Sequence, residues 1–258
     1  MKTIAIMNVK GGVGKTMTAC NLAHILADTY GQRVLLIDAD PQGDASRFFD
    51  RSAENGGMTE LIQGTEPFYE HLTQSTEYEN LDIIACDSSL FCADLSGDED
   101  GRRRRVISDL AETIREDNAY DIILIDCPPS FTVSAISALG AADEVIVPVK
   151  LDAFSVAGME FLLDQLAYVH KINGRAHLAG ILVTMWHNCE SNTQAEAELR
   201  RRGIKVFATH IRRSDKADES TWYHEPISDY SRFSAVARDY RAWVAELVET
   251  GGIIDGKV

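Results

Sequence analysis

The stretch MKTIAIMNVKGGVGKTMTACNLAHIL, residues 1–26, decides the fold. An apolar run, Ile4 to Val9, gives way to Lys10-Gly11-Gly12-Val13-Gly14-Lys15-Thr16, after which Thr18, Ala19, Leu22, Ala23 and Leu26 recur at helical spacing. A buried strand, a glycine-rich turn and a helix are therefore expected in succession. Such a turn exposes consecutive backbone N–H groups, and their concavity, with the positive end of the helix dipole, holds phosphate oxygens. Lys15 is placed to neutralise the β and γ phosphates, and the Thr16 hydroxyl to ligate Mg2+. The usual phosphate-loop pattern has a glycine where this chain has Val9, and a second lysine, Lys10, stands beside it.

Outward from this loop, apolar β-branched runs recur: VLLID (34–38), LDIIA (81–85), IILID (122–126), EVIVPV (144–149), LAGILVT (178–184) and KVFAT (205–209). They read as buried strands. Helical spacing fills most of the gaps, over Thr16 to Tyr30, Arg103 to Asn118, Ser155 to His170 and Thr193 to Arg202. Alternation of this kind predicts right-handed crossovers and an α/β fold: one doubly wound, mainly parallel sheet with helices on both faces, the P-loop NTPase arrangement. A single domain over residues 1–258 is expected, since α/β proteins of one sheet reach that length. A last helix over Ser231 to Glu249 carries Phe233, Val236, Tyr240, Trp243, Val244 and Leu247 at spacings of three and four, as a helix docked on the core does.

Two of the strand-like runs end in acids. VLLID closes on Asp38-Ala39-Asp40-Pro41-Gln42-Gly43, at the carboxyl edge where open α/β sheets bind ligands. IILID buries four apolar residues and ends in Asp126, an arrangement that sets a carboxylate beside Mg2+-bound water. Asp38 has a plainer alternative, a strand-end turn or a helix cap.

Composition narrows the function classes. A 45% apolar and 25% charged chain is that of an ordinary soluble protein, and no run approaches the roughly 18 apolar residues of a membrane-spanning helix. The start lacks the apolar core and small-residue cleavage site of an export signal, so a cytoplasmic location is expected. Cys20, Cys86, Cys92, Cys127 and Cys189 show no CxxC pairing, which predicts buried thiols rather than zinc, disulfides or a cluster-bearing reductase. A net charge of −15 repels nucleic acid on average, so any DNA contact must come from a local basic patch.

KGGVGKT, then VLLIDADPQGDAS, then YDIILIDCPPS together resemble the ParA/MinD family of deviant phosphate-loop ATPases, and most closely its short, Soj-like ParA members. The resemblance runs from residue 1 to about 247 and is strongest in those three motifs. It implies ATP and Mg2+ as cofactors, and hydrolysis of ATP to ADP and phosphate. Nucleotide contacts are implied at Lys10, Gly11, Gly12, Val13, Gly14, Lys15, Thr16 and Met17, with Met185 near the base. Lys10, Lys15 and Asp40 would be catalytic, Lys10 by reaching across an ATP-bound homodimer and Asp40 by orienting the attacking water. Thr16, Asp38 and Asp126 would serve the metal, and Cys127-Pro128-Pro129 would open the second switch. Family members often carry a proline before an arginine in the loop packed on adenine, whereas this chain reads Ile211-Arg212-Arg213, with Thr184-Met185-Trp186 fitting the other segment near the base.

Between residues 200 and 216, Arg200, Arg201, Arg202, Lys205, Arg212, Arg213 and Lys216 face a single acid, Asp215. The resemblance makes this a candidate surface for sequence-independent DNA binding, through Arg200, Arg201, Arg202, Arg212, Arg213 and Lys216. A solvated helix face is the alternative. A second run, Arg102 to Arg105, follows acids and reads as the start of a surface helix. The function implied is a nucleoid-associated DNA-partition ATPase for a plasmid or chromosome, which dimerises and binds DNA with ATP and whose hydrolysis a ParB-like partner stimulates. The alternatives are a MinD-like membrane-cycling regulator, which the acidic end of the last helix disfavours, and a scaffold that holds ATP without turnover.

Overall fold

The computed structural model describes residues 1–96, 98, 101–151, 164, 167, 168, 171–174, 176–251, 253 and 254. Strands β1 (Lys2–Ile6), β2 (Val34–Asp38), β3 (Thr73–Ser75), β4 (Leu81–Ile84), β5 (Ile122–Asp126), β6 (Glu144–Lys150) and β7 (His177–Thr184) form one seven-stranded sheet in the order β3-β4-β2-β5-β1-β6-β7. Every pairing is parallel except β3 with β4, a short antiparallel edge that the sequence pattern did not announce.

Around the sheet lie α1 (Lys15–Asp28), α2 (Asp44–Phe48), α3 (Met58–Gln63), α4 (Tyr69–Leu72), α5 (Ser89–Leu95), α6 (Val106–Asp117), α7 (Val133–Ala141), α8 (Glu190–Arg201), α9 (Asp215–Tyr223), α10 (Ile227–Tyr230) and α11 (Ala235–Gly251). Strand periodicity sorts side chains to two faces. Ile4, Ile6, Leu36, Ile122 and Leu124 pack with Leu22, Ile25 and Leu26 of α1 and with Trp243, Val244 and Leu247 of α11. Ala5, Leu35, Ile37, Ile123 and Ile125 pack on the opposite side with Met58 and Ile62 of α3, Ile107, Leu110 and Ile114 of α6, and Leu139 of α7. Each such aliphatic side chain, taken fully out of water, contributes roughly 1.5–3 kcal/mol, so a last helix burying five large side chains is held by the core.

Two expectations need correction. Residues 205–209 do not form a strand: Val206 makes one isolated bridge to Ile181, because the neighbouring backbone groups are taken by side chains. Arg200 donates to the carbonyls of Val206 and Phe207 (3.0 and 2.9 Å), and Glu246 accepts from the N–H groups of Ala208 and Thr209 (2.6 and 2.9 Å). The last helix starts at Ala235 rather than Ser231, and Phe233 stands 85% exposed ahead of it instead of docking on the core, whereas the Arg102 to Arg105 run does open a surface helix, through a 3-10 turn over Arg103–Arg105 that feeds into α6. The helix expected over Ser155 to His170 falls mostly outside the described residues.

Candidate functional site

The loop between β1 and α1 is held at three points. Asn8 donates through Nδ2 to the carbonyl of Pro148 (2.8 Å) and accepts the Lys10 N–H through Oδ1 (2.8 Å), tying the strand exit to β6. Thr184, at the end of β7, donates its hydroxyl to the Val13 carbonyl (2.8 Å). Gly14 takes φ 82°, a left-handed conformation that a side chain resists, and it occupies the cap position of α1. No side chain caps α1, so its first-turn N–H groups are open to an anion.

A cleft of roughly 490 Å3 opens over this loop, lined by Gly11, Gly12, Gly14, Lys15, Thr16 and Met17 on the loop side and by Asp40, Gln42, Asp44, Arg47 and Phe48 beyond β2. Pro129, Met185, Thr221 and His224 complete it. A smaller cavity of roughly 210 Å3 shares Gly14, Met17 and Met185 and is otherwise walled by Thr184, Ile211, Arg212, Arg213, Ser214 and Tyr240, among others. The two loops expected near a base, 184–186 and 211–213, thus meet in one pocket beside the phosphate loop. A backbone bridge between Trp186 and Arg212 joins them. Lys10 is exposed and is not among the residues that line the cleft, although its neighbour Gly11 is. Val13 turns its side chain inward and is buried.

The three acids stand in different states. Asp38 is fully buried: Oδ2 accepts the N–H and hydroxyl of Ser46 (2.8 and 2.6 Å), and Oδ1 accepts the Asp40 N–H (3.2 Å). Ser46 in turn accepts the Cys86 N–H (2.8 Å). Burial pushes Asp38 up to about 6 against the pull of those donors. Asp40 accepts the Gln42 N–H (3.0 Å), and burial raises its carboxyl, opposed by that bond and by Lys15. Asp126 is fully buried with neither oxygen in a hydrogen bond of good geometry. Burial and then Asp38 push it well above the ordinary carboxylate range, with Thr16 and Lys15 beside it pulling the other way.

An unpaired buried carboxylate is costly unless a cation meets it. Asp126 and the neighbouring Thr16 hydroxyl therefore fit a hard divalent cation, and Lys15, itself buried, is the basic side chain among these acids. Asp38 already has both oxygens engaged by the protein, so it stands behind the site as a brace for the Asp38–Asp40 turn.

Sequence reasoning missed Asn8, Gln42, Asp44, Arg47, Thr221 and His224. Thr221 donates to the sulfur of Met17 (3.2 Å), and His224 Nδ1 lies 2.6 Å from Asp50 Oδ1, joining the α9–α10 turn to the end of α2. No local pattern marks such contacts, since the partners lie more than 170 residues apart.

The basic cluster is largely neutralised within the fold. Arg200 pairs with Glu196 (2.7 Å), Arg201 and Arg202 with Glu198 (2.7 and 2.8 Å), Arg212 with Asp239 (2.7 Å) and Lys216 with Glu219. Arg213 is exposed and makes no ion pair among the described residues.

A profile of the AAA domain family matches residues 1–178. The chain is 38% identical over 251 residues to the chromosome-partitioning ATPase Soj of Thermus thermophilus, covering 96% of each protein. It is 33% identical over 253 residues to the chromosome partitioning protein ParA of Caulobacter vibrioides, covering 96% of this chain and 94% of that protein. Among solved structures it is similar to McdA of Cyanothece bound to ATP (TM-score 0.82, 22% identity, 100% of this chain and 98% of that one). It is likewise similar to MinD of Pyrococcus horikoshii with Mg-ADP (TM-score 0.79, 23% identity, 100% and 99%).

Proposed function

The chain belongs to the ParA/MinD family of AAA-domain ATPases, on its Soj-like side, and from that premise we propose that it is a DNA-partition ATPase which binds ATP with Mg2+ and hydrolyses it. The observation that carries this is Asp126: a fully buried acid with no hydrogen bond of good geometry, beside Thr16 and Lys15, under a glycine-rich loop whose Gly14 opens α1 without a side-chain cap. The loop amides from Gly11 to Thr16 and the Lys15 ammonium would hold the phosphates, with Met17 and Met185 toward the base. Thr16 and Asp126, with Asp38 behind them, would hold Mg2+, which supplies countercharge to the phosphates. Asp40 would orient the attacking water. Phosphoryl transfer depends mostly on positioning and countercharge, so these few residues suffice for the chemistry.

Lys10, exposed and outside the lining of its own cleft, would complete the charge set of a second copy's site, which would couple hydrolysis to a homodimer. ATP-dependent, sequence-independent DNA binding and stimulation by a ParB-like partner complete the reading. The C-terminal helix turns Val236, Tyr240, Trp243, Val244 and Leu247 into the core, so that face is not available to a membrane, and no helix among the described residues is long and apolar enough to cross one. These points count against a membrane-cycling role for this helix.

The test compares wild type, Lys15→Ala and Asp40→Ala for ATP affinity, phosphate release and mass in solution. Lys15→Ala should lose nucleotide, whereas Asp40→Ala should retain it, stop hydrolysis and stay dimeric. Equal ATP affinity in both variants would contradict the assignment.

A further inference from the structure

Arg47 lines the same cleft as Gly11, Gly12 and Lys15, yet the phosphate reading above leaves it idle. On the five-residue α2 its guanidinium is paired with Asp44, three positions earlier, and Asp44 lines the cleft as well. The Arg47 side chain is 61% exposed, so this pair is solvated and costs little to break. Among the described residues lining the cleft, Lys15 and Arg47 are the lysine and arginine side chains, and Asp40 and Asp44 the acids. Asp38 lies buried beside Asp40 and adds more negative charge.

A nucleoside triphosphate entering this cleft brings its charge into a predominantly acidic setting. Lys15 is fixed and buried, whereas Arg47 sits on a long exposed stem. A guanidinium binds phosphate oxygens through two parallel N–H bonds, a better match than one edge of a solvated carboxylate. Arg47 lines the larger cleft with Gly11, Gly12, Lys15 and Asp40 and is not among the residues of the smaller cavity walled by Ile211, Arg212 and Arg213, which sets it toward the phosphates rather than the base.

We propose that Arg47 is a second cationic contact for the terminal phosphate of the bound nucleotide, held in reserve by Asp44 until a triphosphate enters. The proposal rests on the ATP-binding reading above. Arg47 then discriminates triphosphate from diphosphate, and Asp44 competes with the nucleotide for it.

Equilibrium binding of ATP and ADP to wild type, Arg47→Ala, Arg47→Lys and Asp44→Asn, with thermal melts of each chain without nucleotide, tests this. Arg47→Ala should weaken ATP binding roughly tenfold and ADP binding far less, with Arg47→Lys in between. Asp44→Asn frees the arginine and should tighten ATP binding. Melting without nucleotide should be alike in all four chains, which shows that a loss of affinity is not a loss of fold. Wild-type affinity in Arg47→Ala would overturn the contact, and ATP binding by Asp44→Asn no tighter than wild type would overturn the reserve. Failure of the underlying reading shows separately, as wild type that binds neither nucleotide.

Discussion

Asp38 and Asp126 stand opposite each other in the β2–β5 register, both fully buried, and only Asp38 is hydrogen-bonded by the fold. Two adjacent strands thus deliver two carboxylates to one edge, and the protein gives one of them well-formed hydrogen bonds and the other none of good geometry. The division follows from what comes next in the chain. After Asp38 the backbone turns into α2, whose Ser46 points its hydroxyl back at the acid. After Asp126 comes Cys127-Pro128-Pro129, two of whose three residues have no N–H to offer.

The unpaired acid makes a prediction with a definite sign. Its folded-state pKa is raised, so the native chain holds a proton that the unfolded chain releases near pH 4, and stability falls as pH rises beyond that. Asp126→Asn removes this loss. Without nucleotide it should melt higher than wild type at pH 8 by at least about 1 kcal/mol, roughly 2–4 °C at this size, with a smaller gap at pH 5. The same variant should lose the extra stabilisation that Mg2+ adds to ATP. A lower melting temperature than wild type at pH 8 would show that Asp126 is paired after all.

Ser46 carries a second prediction through Asp38. The serine hydroxyl donates to Asp38 and accepts from the Cys86 N–H, so Ser46→Ala orphans the Cys86 N–H, takes one of the two donors from Asp38 Oδ2, and should destabilise the chain by about 1–3 kcal/mol at pH 7. With Asp38 at about 6 in the fold, wild type loses stability from this group as pH climbs from about 4 to 6. Removing a donor to the carboxylate pushes that pKa higher and carries the decline to higher pH. Urea unfolding at pH 5 and pH 7 should therefore show a smaller penalty at pH 5. An equal penalty at both would mean that the hydroxyl acts only by packing.

How much of this was legible depended on how local the cause is. β2 and β5 could be read because four apolar residues and a terminal acid are complete within five positions. The phosphate loop was legible for the same reason. The 205–209 segment was not, since its strand-like composition is overruled by Arg200 and Glu246, which take its backbone groups from α8 and α11. Asn8 was invisible because a single asparagine after a strand means nothing until Pro148, 140 residues away, is beside it. The charge balance of the basic cluster was not legible either, since a count over 200–216 leaves out Glu196, Glu198, Glu219 and Asp239, the acids that pair with it.

Gly180 allows a test of the packing that holds the far edge of the sheet. A Cβ there would stand 2.9 Å from the ring of Phe207, which is buried edge-on against Trp243. Rings of that size cannot yield in a packed core, so Gly180→Ala should cost about 1–3 kcal/mol through overpacking. Reducing the ring as well, in Gly180→Ala with Phe207→Leu, should recover part of that loss. Chemical denaturation of the two single variants and the double variant measures the coupling, and simple additivity would mean that the two residues do not collide.

The paired basic cluster bears on how DNA would be held. Glu198 accepts from both Arg201 and Arg202, whose guanidinium groups draw its carboxyl down to about 2, so the pairing persists at any physiological pH. Arg200 is committed to backbone carbonyls, and Arg212 both pairs with Asp239 and donates to the Ala235 carbonyl. Only cations that leave their acids can displace counterions from DNA, and each phosphate neutralised adds about 0.9 to the slope of log affinity against log salt. Glu198→Gln should therefore tighten ATP-dependent DNA binding and steepen that slope. Arg213→Ala, which removes an exposed cation that makes no ion pair among the described residues, should weaken binding and flatten the slope by about one phosphate. Titration of duplex DNA across a salt series with ATP reads both effects. If Glu198→Gln left affinity and slope where they were while Arg213→Ala abolished binding, DNA would meet the protein near Arg213 and away from the end of α8.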